Sequence, residues 1–135
     1  MSARGKARKR ALDVLYAAEM RGERPVEALD RIIAAGEGPT NAYTSALVHG
    51  VAEHQARIDE LLGTYAQGWT LTRMPAVDRN VLRLGVYELL YVEDVPDGVA
   101  VSEAMSLVRE LSTDESPSFV NGLLGSIVRD KADLV

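Results

Sequence analysis

The 135-residue sequence contains no cysteine, which excludes disulfide bonds and thiolate metal sites. It also lacks any apolar run near the ~20 residues that a membrane-spanning helix requires. The basic N-terminus leads into an amphipathic pattern instead of the apolar core of a signal peptide. These absences make the cytoplasm the default location and predict no membrane contact. A chain of this length suits one domain with a buried core, so we expect a single domain over residues 1–135.

Catalytic and cofactor motifs are missing as well, since no Walker loop, GxGxxG, HExxH or GxSxG pattern occurs. His49 and His54 are five residues apart and would point ~140° from each other around a helix, which is unsuitable for a shared metal ion. Several acidic residues fall at predicted solvent faces or caps: Asp59, Glu60, Glu103, Asp114 and Glu115. We therefore expect neither an enzyme nor a bound cofactor or metal.

Positive charge is scarce overall but concentrated at one end of the chain. The net charge is −5, yet five of the 15 basic residues fall within the first ten positions, where no acidic residue occurs. These residues are Arg4, Lys6, Arg8, Lys9 and Arg10. A basic arm over residues 1–10 on an acidic body can bind the phosphates of a nucleic acid. The alternative is a frayed, solvated terminus, because short basic blocks are common in tails.

Apolar residues recur at helical spacing through the whole chain, which predicts an all-α protein. Arg21-Gly22 and the turn from Gly36 to Pro39 should end the first two helices, and Pro25 suits the start of the second. The predicted helices run over 7–20, from 25, through 47–65, from 75 to 90, over 99–111 and from 117 onward. We expect a compact bundle of about six to seven helices in two sub-bundles, with a seam at 63–75.

Three local features of this pattern leave a choice open. Thr40 or Asn41 can cap the third helix, and Ser116 can cap the last one ahead of Pro117. The segment 99–101 could instead form a short strand, although no other segment would pair with it. Phe119, the single phenylalanine, lies beside a polar loop at the start of the last helix. It could stack on an unpaired RNA base or pack in the core against Leu123.

Three segments carry a resemblance to a known family. They are the helical VLRLGVYELL at 81–90, DVPDGVAVSEAMSLVREL at 94–111 and SFVNGLLG at 118–125, and the basic entry at 4–20 agrees with them. Together they resemble the NusB family of transcription antitermination factors, small all-helical RNA-binding proteins of bacterial ribosomal RNA operons. The resemblance implies two helical sub-bundles. It also implies binding to the boxA element of ribosomal RNA leader transcripts with the ribosomal protein NusE, in an antitermination complex with RNA polymerase.

The resemblance also implies two sets of site residues. The RNA-facing set is Arg4, Lys6, Arg8, Lys9, Arg10, Tyr16, Glu115, Phe119 and Asn121. Glu115 falls in the loop that borders the RNA, where a carboxylate would repel phosphate. The set facing the partner protein is Asp78, Arg83, Tyr87 and Glu88. We expect Arg83 to be an exposed contact, since its spacing from Asp78 and Glu88 is poor for an ion pair.

Two alternative functions remain open at this stage. The chain could be a helical protein-interaction module or a homodimer without specific RNA binding. The segment at 116–118 lacks positive charge and few basic residues remain at the C-terminus, which leaves room for that alternative. NusB-like domains also occur fused to ribosomal RNA cytosine methyltransferases. That function needs a following cofactor domain and a nucleophilic cysteine, and we expect this domain to stand alone.

Overall fold

The computed structural model describes residues 2–38 and 41–135, and every regular element within these ranges is helical. The six α-helices are α1 (Ala3–Arg21), α2 (Pro25–Ala34), α3 (Ala42–Tyr65), α4 (Ala76–Tyr91), α5 (Asp97–Leu111) and α6 (Ser116–Leu134). A short 3₁₀ turn at Leu71–Arg73 precedes α4. The all-α prediction is confirmed, whereas the strand alternative for 99–101 is wrong because this segment lies inside α5. None of the helices in the described ranges combines the length and apolarity needed to span a bilayer.

Glycine and proline mark the helix ends much as expected. Gly22 ends α1 with φ +67°, a left-handed conformation that glycine adopts without strain, and α2 begins at Pro25. The side-chain carbonyl of Asn41 accepts a hydrogen bond of 2.8 Å from the backbone N–H of Tyr43 and so caps α3. The alternative cap, Thr40, lies outside the described residues, as does Pro39 of the predicted turn.

Three predicted helix starts are wrong. α1 begins at Ala3, four residues early, because the Ser2 hydroxyl accepts from the backbone N–H of Gly5 and caps the helix. α5 begins at Asp97, within the segment that we predicted as a loop. Ser116 is the first residue of α6 and not its cap, because its hydroxyl bonds to the Asp78 carboxylate at 2.7 Å.

The chain divides into two compact units, and the boundary between His54 and Gln55 falls inside α3. The predicted seam at 63–75 is therefore wrong, because the boundary lies earlier in the chain, within the continuous helix α3. In the first unit, α1 packs against α2, and the Thr44 hydroxyl at the start of α3 donates to the Ala7 carbonyl. The core of this unit is made of small and branched side chains from all three helices: Ala7, Ala11, Leu12, Val14, Leu15, Ala18, Ala28, Leu29, Leu47, Val48 and Val51.

In the second unit, α4 packs against both α5 and α6. Gly85 of α4 permits this close approach, because a Cβ atom at that position would lie 3.2 Å from the Leu124 side chain of α6. The largest fully buried side chains of this unit include Leu62, Leu82, Leu89, Leu124 and Ile127. This packing fixes the start of α6, where Phe119 is located.

Candidate nucleic-acid interface

The predicted basic arm is the first two turns of α1 and not a flexible tail. Arg4, Lys6 and Arg10 are exposed and Lys9 is half-buried, while Arg8 is only 4% exposed. The alternative of a frayed terminus is therefore wrong for residues 3–10. The arm presents its cations on a formed helix, at positions that the backbone fixes.

This charge distribution opposes the electrostatics of the helix itself. The N-terminus of a helix carries a partial positive charge, so cations in the first turn are unfavourable by about 0.3–1 kcal/mol each. Natural helices favour acidic residues there, yet residues 2–10 include none. Cations at a helix N-terminus, where acidic residues are usual, are typical of a functional surface. The N-terminus of a helix also favours bound anions such as phosphate.

Tyr43 of α3 holds two of these cations against its ring. The guanidinium carbon of Arg4 lies 4.2 Å from the ring centroid, and that of Arg8 lies 5.8 Å from it. Both distances are within the range of cation–π attraction. Sequence reasoning missed Tyr43, because a tyrosine on a helix gives no local sign of what it contacts.

A groove of about 430 Å³ runs beside the exposed cations within the first unit. Its polar lining comes from Lys6, Arg10, Asn41 and Thr44. Arg10 donates to the Glu37 carbonyl at 2.9 Å, which holds its guanidinium at the edge of the groove. Tyr16 is exposed further along α1. The groove offers side-chain cations and hydrogen-bond donors to an anionic backbone.

An aromatic pair marks the candidate site of the second unit. Phe119 is half-buried, and its ring centroid lies 5.9 Å from that of Trp69 with a tilt of 45° between the planes. Trp69 is 51% exposed. Sequence reasoning did not include Trp69 among the candidate site residues. Its position after Gly68, outside any amphipathic period, was the available signal for a surface aromatic.

These two rings form walls of a cleft of about 270 Å³, which Pro75, Thr113 and Glu115 also line. Beneath it, the buried Asp78 carboxylate accepts hydrogen bonds from the hydroxyls of Ser112 and Ser116. The Ser116 hydroxyl also accepts from the backbone N–H of Thr113 at 3.3 Å. This network fixes the first turn of α6 against α4 and thereby positions Phe119.

The two predicted RNA contacts on α6 face different sides of the helix. Phe119 and Asn121 are two residues apart, which corresponds to a rotation of about 200°. Phe119 therefore lines the aromatic cleft, whereas the exposed Asn121 lines a groove between α5 and α6 together with Met105 and Arg109. Glu115 is exposed at the rim of the cleft, as expected for a loop residue.

The predicted partner-binding residues of α4 are mostly inaccessible. Asp78 and Glu88 are each 2% exposed, so the structure does not place their side chains on an accessible face. The expectation that Arg83 is exposed is wrong, because its side chain is 11% exposed and forms two bonds to Asp59, of 2.9 and 3.1 Å. Asp59 is correspondingly an ion-pair partner and not a freely solvated carboxylate.

Tyr87 is the accessible member of that set. It is partly exposed and stacks on the exposed Tyr91, with ring centroids 5.7 Å apart. Within residues 2–38 and 41–135, no three histidine or acidic side chains come together in an arrangement that would hold a metal ion. The basic face of α1 and the cleft beside Phe119 thus each combine charge or aromatic rings with accessible space.

Comparison with known proteins gives a consistent result. The NusB family model matches residues 5–129. The transcription antitermination protein NusB of Nocardioides sp. is 75% identical over 134 residues, covering 99% of each chain. The protein of the same name from Thermobifida fusca is 58% identical, covering 97% of this chain and 92% of its own.

Solved structures agree with the sequence relatives. NusB of T. maritima matches with a TM-score of 0.86 and 33% identity, covering 97% of this chain and 94% of that chain. A chain from a complex described as antitermination factors NusB and NusE with dsRNA matches with a TM-score of 0.81 and 29% identity, covering 93% of this chain and 96% of that chain. The family model spans most of this chain and the relatives match over nearly their full length, so the chain belongs to the NusB family.

Proposed function

We propose that this chain is an RNA-binding transcription antitermination factor that recognises the boxA element of ribosomal RNA leader transcripts together with a NusE-type ribosomal protein. The observation that carries the proposal is the row of cations on the first two turns of α1. Arg4, Lys6 and Arg10 are exposed on a formed helix. Arg4 and Lys6 lie in its first turn, where they oppose the helix dipole, and a bound phosphate backbone would compensate for this cost.

The relatives support this function by their names. The similar curated proteins are antitermination proteins, and one similar solved chain comes from a complex with NusE and RNA. In this proposal the chain has no catalytic role and no cofactor, and acts in the cytoplasm as part of the RNA polymerase antitermination complex.

The proposed RNA contacts are the predicted RNA-facing residues, and their roles differ. Arg4, Lys6 and Arg10 contact phosphates directly, and Lys9 contributes from the side of the helix. Arg8 is buried against Tyr43, so it acts mainly by ordering this face. Tyr16, Phe119 and Asn121 are accessible to RNA, and Glu115 weakens binding by repelling phosphate.

The proposed contact with the ribosomal protein centres on the Tyr87 and Tyr91 pair of α4. Asp78, Arg83 and Glu88 contribute to this contact through the structure of α4, because their side chains are largely buried.

The second candidate function is a homodimer or other helical interaction module. The exposed side chains of Tyr16 and Met20, one turn apart on α1, favour it.

The deciding experiment is fluorescence anisotropy of a labelled single-stranded boxA RNA, titrated with this protein alone and with its NusE-type partner. A scrambled single strand and a duplex of the boxA sequence serve as competitors. Preference for the boxA strand that increases with the partner is the expected result. Equal and weak binding to all three RNAs would contradict the proposal and leave the interaction module.

The basic face is tested by a charge-matched pair of variants. Lys6→Gln with Arg10→Gln removes two exposed cations from the proposed interface. Arg24→Gln with Arg57→Gln removes two exposed cations that pair with glutamates on other helix surfaces. For a single strand, the salt slope should fall by about 0.7 for each phosphate that is no longer neutralised. An unchanged slope in the first variant would show that these cations do not bind phosphate.

A further inference from the structure

We propose that Tyr43 is a positioning residue for RNA binding, because its ring holds the Arg4 guanidinium in place on the basic face of α1. This inference rests on the proposed function and goes beyond it. It gives a residue of α3 a part in binding at a surface whose cations belong to α1. In this role Tyr43 acts on RNA through Arg4 and does not contact the strand itself.

The Tyr43 ring is shared by two arginines of α1. The guanidinium carbon of Arg4 lies over the ring at 4.2 Å from its centroid, and that of Arg8 lies at 5.8 Å. Four residues separate these arginines, so they lie on the same face of α1, where like charges repel each other. The negative face of an aromatic ring attracts both cations and thereby offsets this repulsion.

The two arginines differ in burial, and this difference separates their roles. Arg8 is only 4% exposed, whereas Arg4 is exposed. A cation–π contact uses the face of a guanidinium and none of its five N–H donors. Arg4 can therefore remain over the Tyr43 ring while it donates hydrogen bonds to a phosphate.

Hydrogen bonds between α3 and α1 set the position of the ring. The side-chain carbonyl of Asn41 accepts from the backbone N–H of Tyr43 at 2.8 Å, and its amide donates to the Ala3 carbonyl at 3.3 Å. The buried Thr44 hydroxyl donates to the Ala7 carbonyl at 3.0 Å. These bonds fix the ring at the level of the two arginines along α1.

The ring contact itself is measured in the protein without RNA. Protons over the face of an aromatic ring are shielded, so the Hδ resonances of Arg4 should lie upfield of their usual position in the NMR spectrum. Tyr43→Phe should keep this shift and Tyr43→Leu should abolish it. Arg4 resonances at their usual position in the wild-type protein would overturn the proposal.

A double-mutant cycle tests whether Tyr43 acts through Arg4. Binding of labelled single-stranded boxA RNA is measured by anisotropy for the wild type, Tyr43→Leu, Arg4→Gln and the double variant. Tyr43→Leu should weaken binding roughly two- to 30-fold, which corresponds to the strength of cation–π contacts. The loss should be smaller in the Arg4→Gln background, where the ring has no Arg4 cation to position. Equal losses in the two backgrounds would overturn the proposal.

The salt dependence separates positioning from direct contact with a base. Tyr43 is uncharged, so a ring that merely stacked on a base would leave the salt slope unchanged when it is removed. If the ring positions Arg4, Tyr43→Leu should lower the slope in the same direction as Arg4→Gln, by up to about 0.7 for the one phosphate contact. Weaker binding with an unchanged slope would overturn the positioning role.

Two further variants serve as matched controls. Tyr43→Phe retains the ring and should bind RNA nearly as well as the wild type. Tyr65→Leu is the same substitution at the other end of α3, where the hydroxyl donates to Asp130, and should leave RNA binding unchanged. Circular dichroism of each variant confirms that it folds. A loss in either control equal to that of Tyr43→Leu would overturn the proposal.

The outcomes distinguish this inference from the function on which it rests. A wild-type protein that prefers boxA RNA, with a Tyr43→Leu variant of unchanged affinity, overturns the positioning role and leaves the proposed function intact. Failure of the wild-type protein to bind any RNA, boxA included, overturns both.

Discussion

Lys6 carries a positive charge where it works against the folding of its own helix. It is exposed near the start of α1, whose first turns carry Arg4 and Arg8 as well and no acidic residue. The arrangement favours an external anion and disfavours the isolated helix. Stability and RNA binding should therefore respond in opposite directions to a change of charge at this residue.

Lys6→Glu should raise the free energy of unfolding by about 0.3–1 kcal/mol, because the new carboxylate interacts favourably with the helix dipole. The same substitution should weaken RNA binding and flatten its salt dependence. Denaturant unfolding and RNA anisotropy measure the two effects. Lys6→Gln should fall between wild type and Lys6→Glu in both assays. A variant that loses both stability and RNA affinity would contradict this account of the basic face.

The free energy of unfolding should also depend on the Asp78 carboxylate, because this group is buried and accepts its hydrogen bonds from hydroxyl groups. Ser116→Ala would remove the donor at 2.7 Å and leave one carboxylate oxygen without that partner. We expect a loss of about 1–3 kcal/mol in the free energy of unfolding, the usual cost of depriving a buried polar group of its hydrogen bond.

Ser126→Ala on the same helix is the control for that variant. The Ser126 hydroxyl bonds to the Gly122 carbonyl one turn earlier at an exposed position, so its loss should have little effect on stability. Chemical denaturation of the two variants gives the comparison. Equal stability of the Ser116 and Ser126 variants would show that the Asp78 network does not hold α6 in place.

At the scale of elements, a single glutamate joins the end of α1 to α2. The Glu23 carboxylate accepts from Arg31 at 3.0 and 2.9 Å and from Arg21 at 2.8 Å. The hydrogen bond from Arg31 is the main reason that the pKa of Glu23 lies below its ordinary value, with the charges of both arginines adding to it. The turn after Gly22 brings these groups together.

The lowered pKa of Glu23 fixes the sign of a pH dependence. Its stabilising contribution is fully present above the ordinary glutamate pKa of 4.5 and is lost as the pH falls through the lower folded value. Glu23→Gln should therefore be less stable than wild type at neutral pH and equal to it in strong acid. Thermal unfolding from pH 7 to pH 3 measures this convergence. Glu27→Gln, which affects an exposed pair with Arg24, should show a smaller gap. A Glu23→Gln gap that persists in strong acid would contradict the assignment.

Helices were predictable from the sequence because their signals are local. The apolar period, Gly22 and Pro25 indicate the first two helices correctly. The starts of α1, α5 and α6 do not follow from the apolar period. Ser2 caps α1 ahead of that period, and Ser116 bonds to Asp78, 38 residues earlier in the chain. A hydroxyl cannot be assigned to a helix cap from sequence when a distant carboxylate competes for it.

At the scale of the whole molecule, the difference between local signals and contacts between distant residues also separates the predictable part of the site from the rest. The cations of α1 and Phe119 stand out because their composition is unusual within their own segments. Tyr43 and Trp69 do not, because their roles depend on which residues the fold brings beside them. The burial of Asp78 and Glu88 and the pairing of Arg83 with Asp59 likewise follow from tertiary packing.

The early start of α1 has a consequence for the thermodynamics of association. A basic segment that is disordered when free must lose chain entropy as it orders on its ligand. Here residues 3–10 are already helical, and Arg4 and Arg8 are already held by Tyr43. The chain entropy of that segment is lost during folding, before any RNA binds. Its contribution to the heat-capacity change of RNA binding should therefore be small, and counterion release should supply the favourable entropy.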